Sequence, residues 1–409
     1  MANSCWQLFS AEEATVLAER TDVLIVGAGP TGLAAALTLA RHGIEVTLVD
    51  QREQPPMTSR AAVVHAYTLE LLDRLGAGAP LVARGLRSAR FSVRDRDRVL
   101  ISVPFGRLPT RHPYALLVSQ SVTEEVLTER LTEAGGRVLR PYRLTGLHHD
   151  DDGAVAHFDD GSTVRTRWVI GADGIHSTVR ELAGIPFTGP ANSAESFVLA
   201  DVRVDSGLPR DGASIFLARG GPLVWAPLPD DRVRLVATVT DPPAEPDLSY
   251  LQRLLDERGP RRHPDQVREV FWSSRFRLHR RVAETFRVGS VLLAGDAGHV
   301  HSPAGGQGMN LGICDAVDLG ETLAEVLAGA PEARLDEYAA RRRPLAREVA
   351  GFADRLTRLA TVPPAGRPAR DALLRLFSML PPVRRRAALR LSGLNQRPSA
   401  QLPPAVDAA

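Results

Sequence analysis

Residues 21–50 read TDVLIVGAGPTGLAAALTLARHGIEVTLVD, which is a strand, a turn, a helix and a second strand in one run. Residues 22–26 are a short series of β-formers. They break at Gly27-Ala28-Gly29-Pro30-Thr31-Gly32, the spacing G-x-G-x-x-G between a strand and a helix. The first glycine permits the tight turn, the second lets the backbone approach a diphosphate, and the third lets the helix pack closely on its strands. Residues 33–42, mostly Ala and Leu, predict the helix, and Gly43 ends it. Its N-terminus offers unpaired N–H groups and a positive dipole end to a diphosphate. Residues 44–49 predict the second strand, and Asp50 at its end is placed to accept hydrogen bonds from an adenosine ribose. A bound dinucleotide is therefore expected.

At 409 residues the chain exceeds one core of ordinary size, so more than one domain is expected. A net charge of +2 gives no reason to expect nucleic acid or an acidic membrane as partner. There is no lysine, so all 50 basic residues are arginine and lysine chemistry is excluded. Cys5 and Cys314 do not make a disulfide framework. The N-terminus lacks the charged start and apolar core of a signal peptide, and no run approaches the ~18 apolar residues of a membrane helix. A cytoplasmic setting is expected.

Along the rest of the chain, residues 1–20 read as an arm with a helix from Ser10. A helix is expected over 62–75, a hairpin over 91–103, a strand at 116–119 and a helix over 122–134. Strands follow at 138–147, 154–158 and 163–167, then a buried strand at 168–172. His148 and His149 before three aspartates read as a solvated turn, and no metal site is expected. Residues 197–204, 213–218, 223–227 and 233–239 predict a second sheet, with a helix at 248–257 and a strand at 271–278. The closing half predicts a strand at 290–294, a loop to 308, and a helix over 309–327 whose Leu311, Ala316, Leu319, Leu323 and Val326 repeat at helical spacing. More helix runs to 359, and one or two helices lie within 371–391.

Two further stretches complete the pattern. GADGIHSTVR at 171–180 puts Asp173 and Gly174 at a strand end with Arg180 on the next helix; LLAGDAGHVHSPAGGQGMNLGICDAVDLG at 292–320 puts Asp296 after a strand and a glycine-rich loop before a helix. With the N-terminal fingerprint, in this order, they resemble the class A flavoprotein monooxygenases, the family of para-hydroxybenzoate hydroxylase and the aromatic polyketide hydroxylases. The resemblance covers roughly residues 21–345. It implies an α/β fold: a Rossmann-like FAD-binding domain (21–85, 115–190 and 275–345), a mostly antiparallel β-sheet substrate domain (86–114 and 191–274), and C-terminal helices (346–409).

It also implies roles position by position. Gly27, Gly29 and Gly32 match the FAD-diphosphate glycines, and Asp50 the acidic residue on the ribose. Arg52, one place late, stands for the usual basic partner, and Arg60 and Gln120 match contacts to the cofactor. Asp173, Gly174 and Arg180 match a motif associated with FAD and the nicotinamide cofactor. Asp296 matches the aspartate of the ribityl and diphosphate region, and Pro303, Gly306, Gln307, Gly308, Met309 and Asn310 match the loop under the flavin ring. His299 and His301 beside that loop read as packing neighbours, and Cys314 as a buried small residue. The sequence is expected to lack the thioredoxin-like domain of several relatives.

Members of that family reduce FAD with NADH or NADPH, form a C4a-hydroperoxyflavin with molecular oxygen, and transfer oxygen to an electron-rich ring. The implied activity is an FAD-dependent monooxygenase acting on an aromatic, polycyclic phenolic substrate of polyketide type. Among the residues it leaves no catalytic group assigned beyond the flavin-loop candidates Pro303, Gly306 and Gln307. His65, Phe216, Arg219 and Trp225 are candidate pocket residues. A flavin-dependent reductase of the same fold and a non-catalytic flavin-binding partner protein are the alternatives. A flavin halogenase, which needs a lysine, is not.

Overall fold

A parallel sheet covered on both faces demands strands that are apolar throughout, and Arg20–Val26 meets the demand, with Val23, Leu24 and Ile25 fully buried. The computed structural model describes residues 17–55, 61–150, 153–189, 196–277 and 279–397; Arg60 and the helix expected from Ser10 lie outside these residues. The described helices are α1 (Pro30–Arg41), α2 (Ala66–Arg74), α3 (Gly78–Ala83), α4 (Gln120–Glu133), α5 (Thr178–Leu182), α6 (Leu248–Arg258), α7 (Gly308–Leu327), α8 (Ala333–Ala360), α9 (Arg367–Ser378) and α10 (Pro381–Leu391).

The first sheet runs in the order Arg287–Val288, Val291–Leu293, Thr163–Gly171, Arg20–Val26, Val46–Val49, Val138–Leu139. Along this order neighbours are parallel except the outermost pair at Val288 and Val291, and off it Gly153–Phe158 pairs antiparallel with both Thr163–Gly171 and Leu144–Asp150. Its register decides where chemistry can gather. Val26 lies beside Val49 and Gly171, and Gly171 beside Leu293, so the strands stop at one level. Gly27, Asp50, Ala172 and Ala294 therefore leave the sheet along one carboxyl edge, the edge at which such sheets bind ligands. Helix α1, buried from Gly32 to Leu39, connects the first two strands and packs against α7.

The second sheet has the order Gln266–Arg277, Ser196–Asp205, Arg232–Val239, Gly221–Pro227, Gly212–Ala218, Arg90–Asp95, Arg98–Pro104. Only Gly212–Ala218 and Arg90–Asp95 run parallel. Alternation along its strands gives two faces. One face carries Val198, Ala200, Phe216, Leu223, Trp225, Leu235 and Ala237 into a separate core with Leu251, Leu254 and Leu255 of α6. The other carries Asp201, Arg234, Ile215, Val224 and Val236, and the C-terminal helices α9 and α10 pack at its edge strand Arg98–Pro104.

Two sequence expectations are corrected here. Residues 62–65 are not helical: Val63 and Val64 pair with Leu117 and Leu116, as β-branched residues favour, and α2 starts only after His65, whose backbone is extended at φ −82 and ψ 161. Residues 138–147 are two strands, Val138–Leu139 and Leu144–Asp150, because Pro141 has no N–H to give a ladder. Among the described residues no helix is long and apolar enough to cross a membrane, and no group of His, Cys, Asp and Glu could hold a metal.

Candidate cofactor site

The turn at 27–32 is built from three glycines with three different constraints. Gly27 has φ +101, and a Cβ there would lie 2.4 Å from Ala172 O; a Cβ on Gly32 would lie 1.8 Å from Gly27 O. A Cβ on Gly29 would meet no described atom within 4 Å. Packing requires the first and third, whereas the second faces open space. Helix α1 starts beside that space with Pro30 in its first turn and no side-chain cap, leaving its first amides to an external acceptor. Asp50 shapes the same turn: Oδ2 accepts from Ala28 N at 2.9 Å, and Oδ1 from Arg52 N at 2.9 Å and Arg140 Nη1 at 3.1 Å. A carboxylate has about four lone-pair sites, so one acceptor direction remains for a ribose hydroxyl. The Arg52 side chain is exposed. Gln120 acts on the backbone, its Oε1 accepting from Ala61 N at 3.3 Å.

At the neighbouring strand end, Asp173 Oδ2 accepts from Val179 N at 3.1 Å and Ser177 Oγ from Arg180 N at 3.0 Å. Burial pushes the Asp173 carboxyl up, against the hydrogen bonds from Ser177 and the helix amides. Gly174, at φ +83, has open space where a Cβ would be. Arg180 points inward: Nη1 donates to Ala297 O and Nη2 to Ile175 O, each at 2.9 Å, and the guanidinium lies 3.9 Å over the Phe187 ring. Its buried guanidinium bolts this motif to the turn that carries Asp296, whose own side chain is exposed.

The loop before α7 is held from several sides. Gly305 and Gly306 have φ of +84 and +62, and Gly306 N donates to Pro303 O at 3.0 Å. Asn310 donates from Nδ2 to Gly306 O at 2.8 Å and Val63 O at 2.9 Å, and its Oδ1 accepts from His65 N at 2.7 Å. His65 Nε2 meets Gly305 O at 2.9 Å, which a ring nitrogen can do only as donor, so Nδ1 is bare. Burial keeps that ring neutral, lowering its pKa to about 4, and Nδ1 has no hydrogen-bond partner among the described residues. Gln307 is buried and ties the loop to the C-terminal helices through Leu391 O at 3.3 Å. Helix α7 opens with no side-chain cap, and Gly308 has open space at its Cβ position. Met309 is half-buried beside it.

The pocket candidates divide. His65 belongs to the loop. Phe216 and Trp225 are fully buried in the core under α6, on the face of the second sheet turned away from Arg234 and segment 61–65. Arg219 is exposed at the tip of the hairpin between Gly212–Ala218 and Gly221–Pro227, where its carbonyl accepts from Arg367 Nη2. The hairpin register, with Phe216 beside Leu223 and Ser214 beside Trp225, puts Phe216 and Trp225 on one face, and α6 covers that face.

Sequence reasoning missed two buried ion pairs. Arg234 is clasped by Asp201, with Nη2 to Oδ2 at 2.7 Å, and donates from Nη1 to Ala61 O at 3.2 Å, fastening the second sheet to the segment beside the loop. Asp315 bonds Arg342 and His299. The available signal was an aspartate set inside the apolar stripe of α7.

The family model described as FAD binding domain matches residues 20–353. The chain belongs to that family. FAD is accordingly the cofactor, and the Rossmann-like FAD-binding fold expected from the motifs is borne out. Relatives include the 6-methylpretetramide 4-monooxygenase of Streptomyces rimosus, 40% identical over 338 residues that cover 80% of this chain and 60% of that protein. The rifampicin monooxygenase of Streptomyces venezuelae is 37% identical, with 80% and 69% covered. The chain thus spans between 60% and 69% of these two relatives. Among solved structures, the anhydrotetracycline hydroxylase OxyS of Streptomyces rimosus has a TM-score of 0.76 at 35% identity, covering 92% of this chain and 76% of that one. The p-nitrophenol 4-monooxygenase PnpA of Pseudomonas putida DLL-E4 has 0.84 at 27% identity, covering 93% and 100%. The residues fit the cofactor: uncapped amides and open glycine sites stand at both helix starts, with an exposed aspartate between them.

Proposed function

We propose that the chain is a monooxygenase that uses FAD, oxygen and NADH or NADPH to hydroxylate an aromatic, polycyclic phenolic substrate. The observation that carries this reading is the fixed loop 303–310, tied by Asn310 to segment 61–65, with the first amides of α7 left uncapped. When bound, FAD supplies the redox chemistry and the activation of oxygen. The protein's residues do the rest. The first amides of α1, opened by Gly29, hold the diphosphate; Asp50 takes the ribose, and Asp296 the ribityl hydroxyls. The start of α7 holds the pyrimidine edge of the ring and stabilises negative charge there. Neutral His65, by donating to Gly305 O, keeps the loop in its left-handed turns without adding a charge beside the ring. Only one dinucleotide fingerprint is present, so the nicotinamide binds transiently on this same domain.

The substrate belongs against the face of the second sheet that carries Arg234. There Leu199, Val236, Val224 and Ile215 form a cross-strand apolar row, and the last three are half-buried, in contrast to Phe216 and Trp225. Apolar walls suit a fused aromatic ring system and keep water from the reacting oxygen. Of the relatives named above, three are named for 6-methylpretetramide, rifampicin and anhydrotetracycline, which supports a polycyclic substrate here, and one for the single-ring p-nitrophenol. A cytoplasmic location, where NADH and NADPH are supplied, fits the same reading. The test is aerobic oxidation of NADH and NADPH by the FAD-loaded protein, with and without a panel of polycyclic phenols. A phenol should accelerate oxidation and be consumed; no acceleration by any aromatic ligand would sink the proposal.

A further inference from the structure

Asp315 is fully buried within the apolar stripe of α7. A carboxylate in such a place must be compensated, or its burial costs several kcal/mol. Three groups do so. Arg342 of α8 donates from Nε to Oδ1 at 2.6 Å, His299 Nε2 to Oδ2 at 2.6 Å, and the Gly295 amide to Oδ2 at 3.2 Å. Burial opposes ionisation of Asp315, but Arg342 and His299 outweigh it and hold the carboxyl below its usual range. Arg342 is itself 5% exposed and also reaches Leu311 O at 3.4 Å. The His299 proton on Nε2 follows from its partner, since an ionised carboxylate only accepts.

The third partner gives the cluster its meaning. Gly295 precedes Asp296 and holds φ +62, and a Cβ on Gly295 or on Gly312 would lie 2.5 Å from Thr31 Oγ1. Thr31, in the diphosphate turn, is thus wedged between the Asp296 turn and α7. The cluster lies where the three cofactor-facing segments meet. A buried ion pair kept for stability alone is replaceable by apolar residues at little cost. An acceptor for one particular amide is not.

We propose that Asp315 is a positioning residue for the cofactor: through the Gly295 amide it preforms the turn that presents Asp296, while Arg342 and His299 fix its carboxylate in the orientation that reaches this amide. The inference rests on the FAD assignment and not on the reaction proposed above.

Two double variants separate positioning from stability. Asp315→Asn with Arg342→Met removes both charges but keeps an oxygen for Gly295 N; Asp315→Leu with Arg342→Met removes the oxygen too. Stripped of FAD, the Leu variant should melt lower, because it leaves the Gly295 amide and His299 Nε2 without an acceptor, so both variants are titrated well below their melting points. FAD titration followed by flavin fluorescence should place the Asn variant within about threefold of the wild type and the Leu variant about tenfold or more weaker, the effect of losing one charge-related hydrogen bond. Equal affinities in the two variants would overturn the proposal. Hydrogen exchange of wild-type apoprotein gives a second test that needs no variant. Read at single-amide resolution, the Gly295 amide should exchange slowly before FAD is added, and protection of that amide that arises only with FAD would overturn it. Neither readout requires turnover, so an inactive enzyme would sink the monooxygenase reading and leave this one standing.

Discussion

Gly29 and Gly32 differ by what surrounds them, and the difference separates cofactor binding from folding. Gly32→Ala drives a methyl into Gly27 O, so it should destabilise the apoprotein by about 2 kcal/mol or more. Gly29→Ala meets no described atom within 4 Å and should leave apoprotein stability nearly unchanged while weakening FAD binding about tenfold. Thermal melts of the apoproteins and FAD titrations check both, and a Gly29→Ala protein that binds FAD normally would show that the open space is not the diphosphate site. The glycine spacing was legible from residue order alone. Which glycine faces the diphosphate was legible too; what crowds Gly27 was not, because Ala172 lies far along the chain. Burial also sets the behaviour of two histidines. His65 and His301 are both lowered to about 4 by desolvation. The unfolded chain takes up their protons near pH 6.5 and the folded chain only near 4, so stability is full above 6.5 and falls as the pH drops through that window. Each ring accounts for about 3 kcal/mol over the whole range, and about 2 kcal/mol by pH 5. Urea unfolding at pH 7 and pH 5 should therefore show a loss smaller by about 2 kcal/mol in His65→Gln than in the wild type. An equal loss would mean that His65 titrates normally in the folded protein.

Among the elements, the second sheet shows how much an alternating pattern conveys. Its strands were readable from apolar runs, and the hairpin register puts Phe216 and Trp225 on one face. The choice of face came from α6, whose Leu251, Leu254 and Leu255 claim them. Phe216→Ala should thus cost about 3–5 kcal/mol of stability and leave the KM for the aromatic substrate unchanged. Val224→Asp, on the opposite and half-buried face, should cost less stability and raise that KM about tenfold. Steady-state kinetics beside denaturant melts would expose the reverse pattern if the substrate lay under α6. The misread helix start at 62–65 has a similar origin. Val63 and Val64 take the strand conformation because Leu116 and Leu117 offer them a ladder, and that partner is invisible in a local window. Buried charge was the least legible feature of all: Asp315 interrupts an apolar stripe, but Arg342, His299 and Gly295, which surround it, come from other segments of the chain.

For the whole molecule, one alignment of strand ends gathers the site. Val26, Val49, Gly171 and Leu293 stop together, so motifs spread from Gly27 to Asp296 meet at one edge. The C-terminal helices finish the loop side, with Leu391 O holding Gln307 and Ser392 O accepting from Tyr67 N at 3.1 Å, although both lie beyond the family match that ends at residue 353. The second sheet brings an apolar face and a buried Arg234 to the same place. The most direct test of the oxygen-transferring role is turnover of a polycyclic phenol by the FAD-loaded protein with NADPH under isotopically labelled oxygen gas, read by mass spectrometry of the product. The expected product carries a single heavy oxygen atom drawn from the gas. A product without that label, or one that forms equally well when oxygen is excluded, would contradict the account.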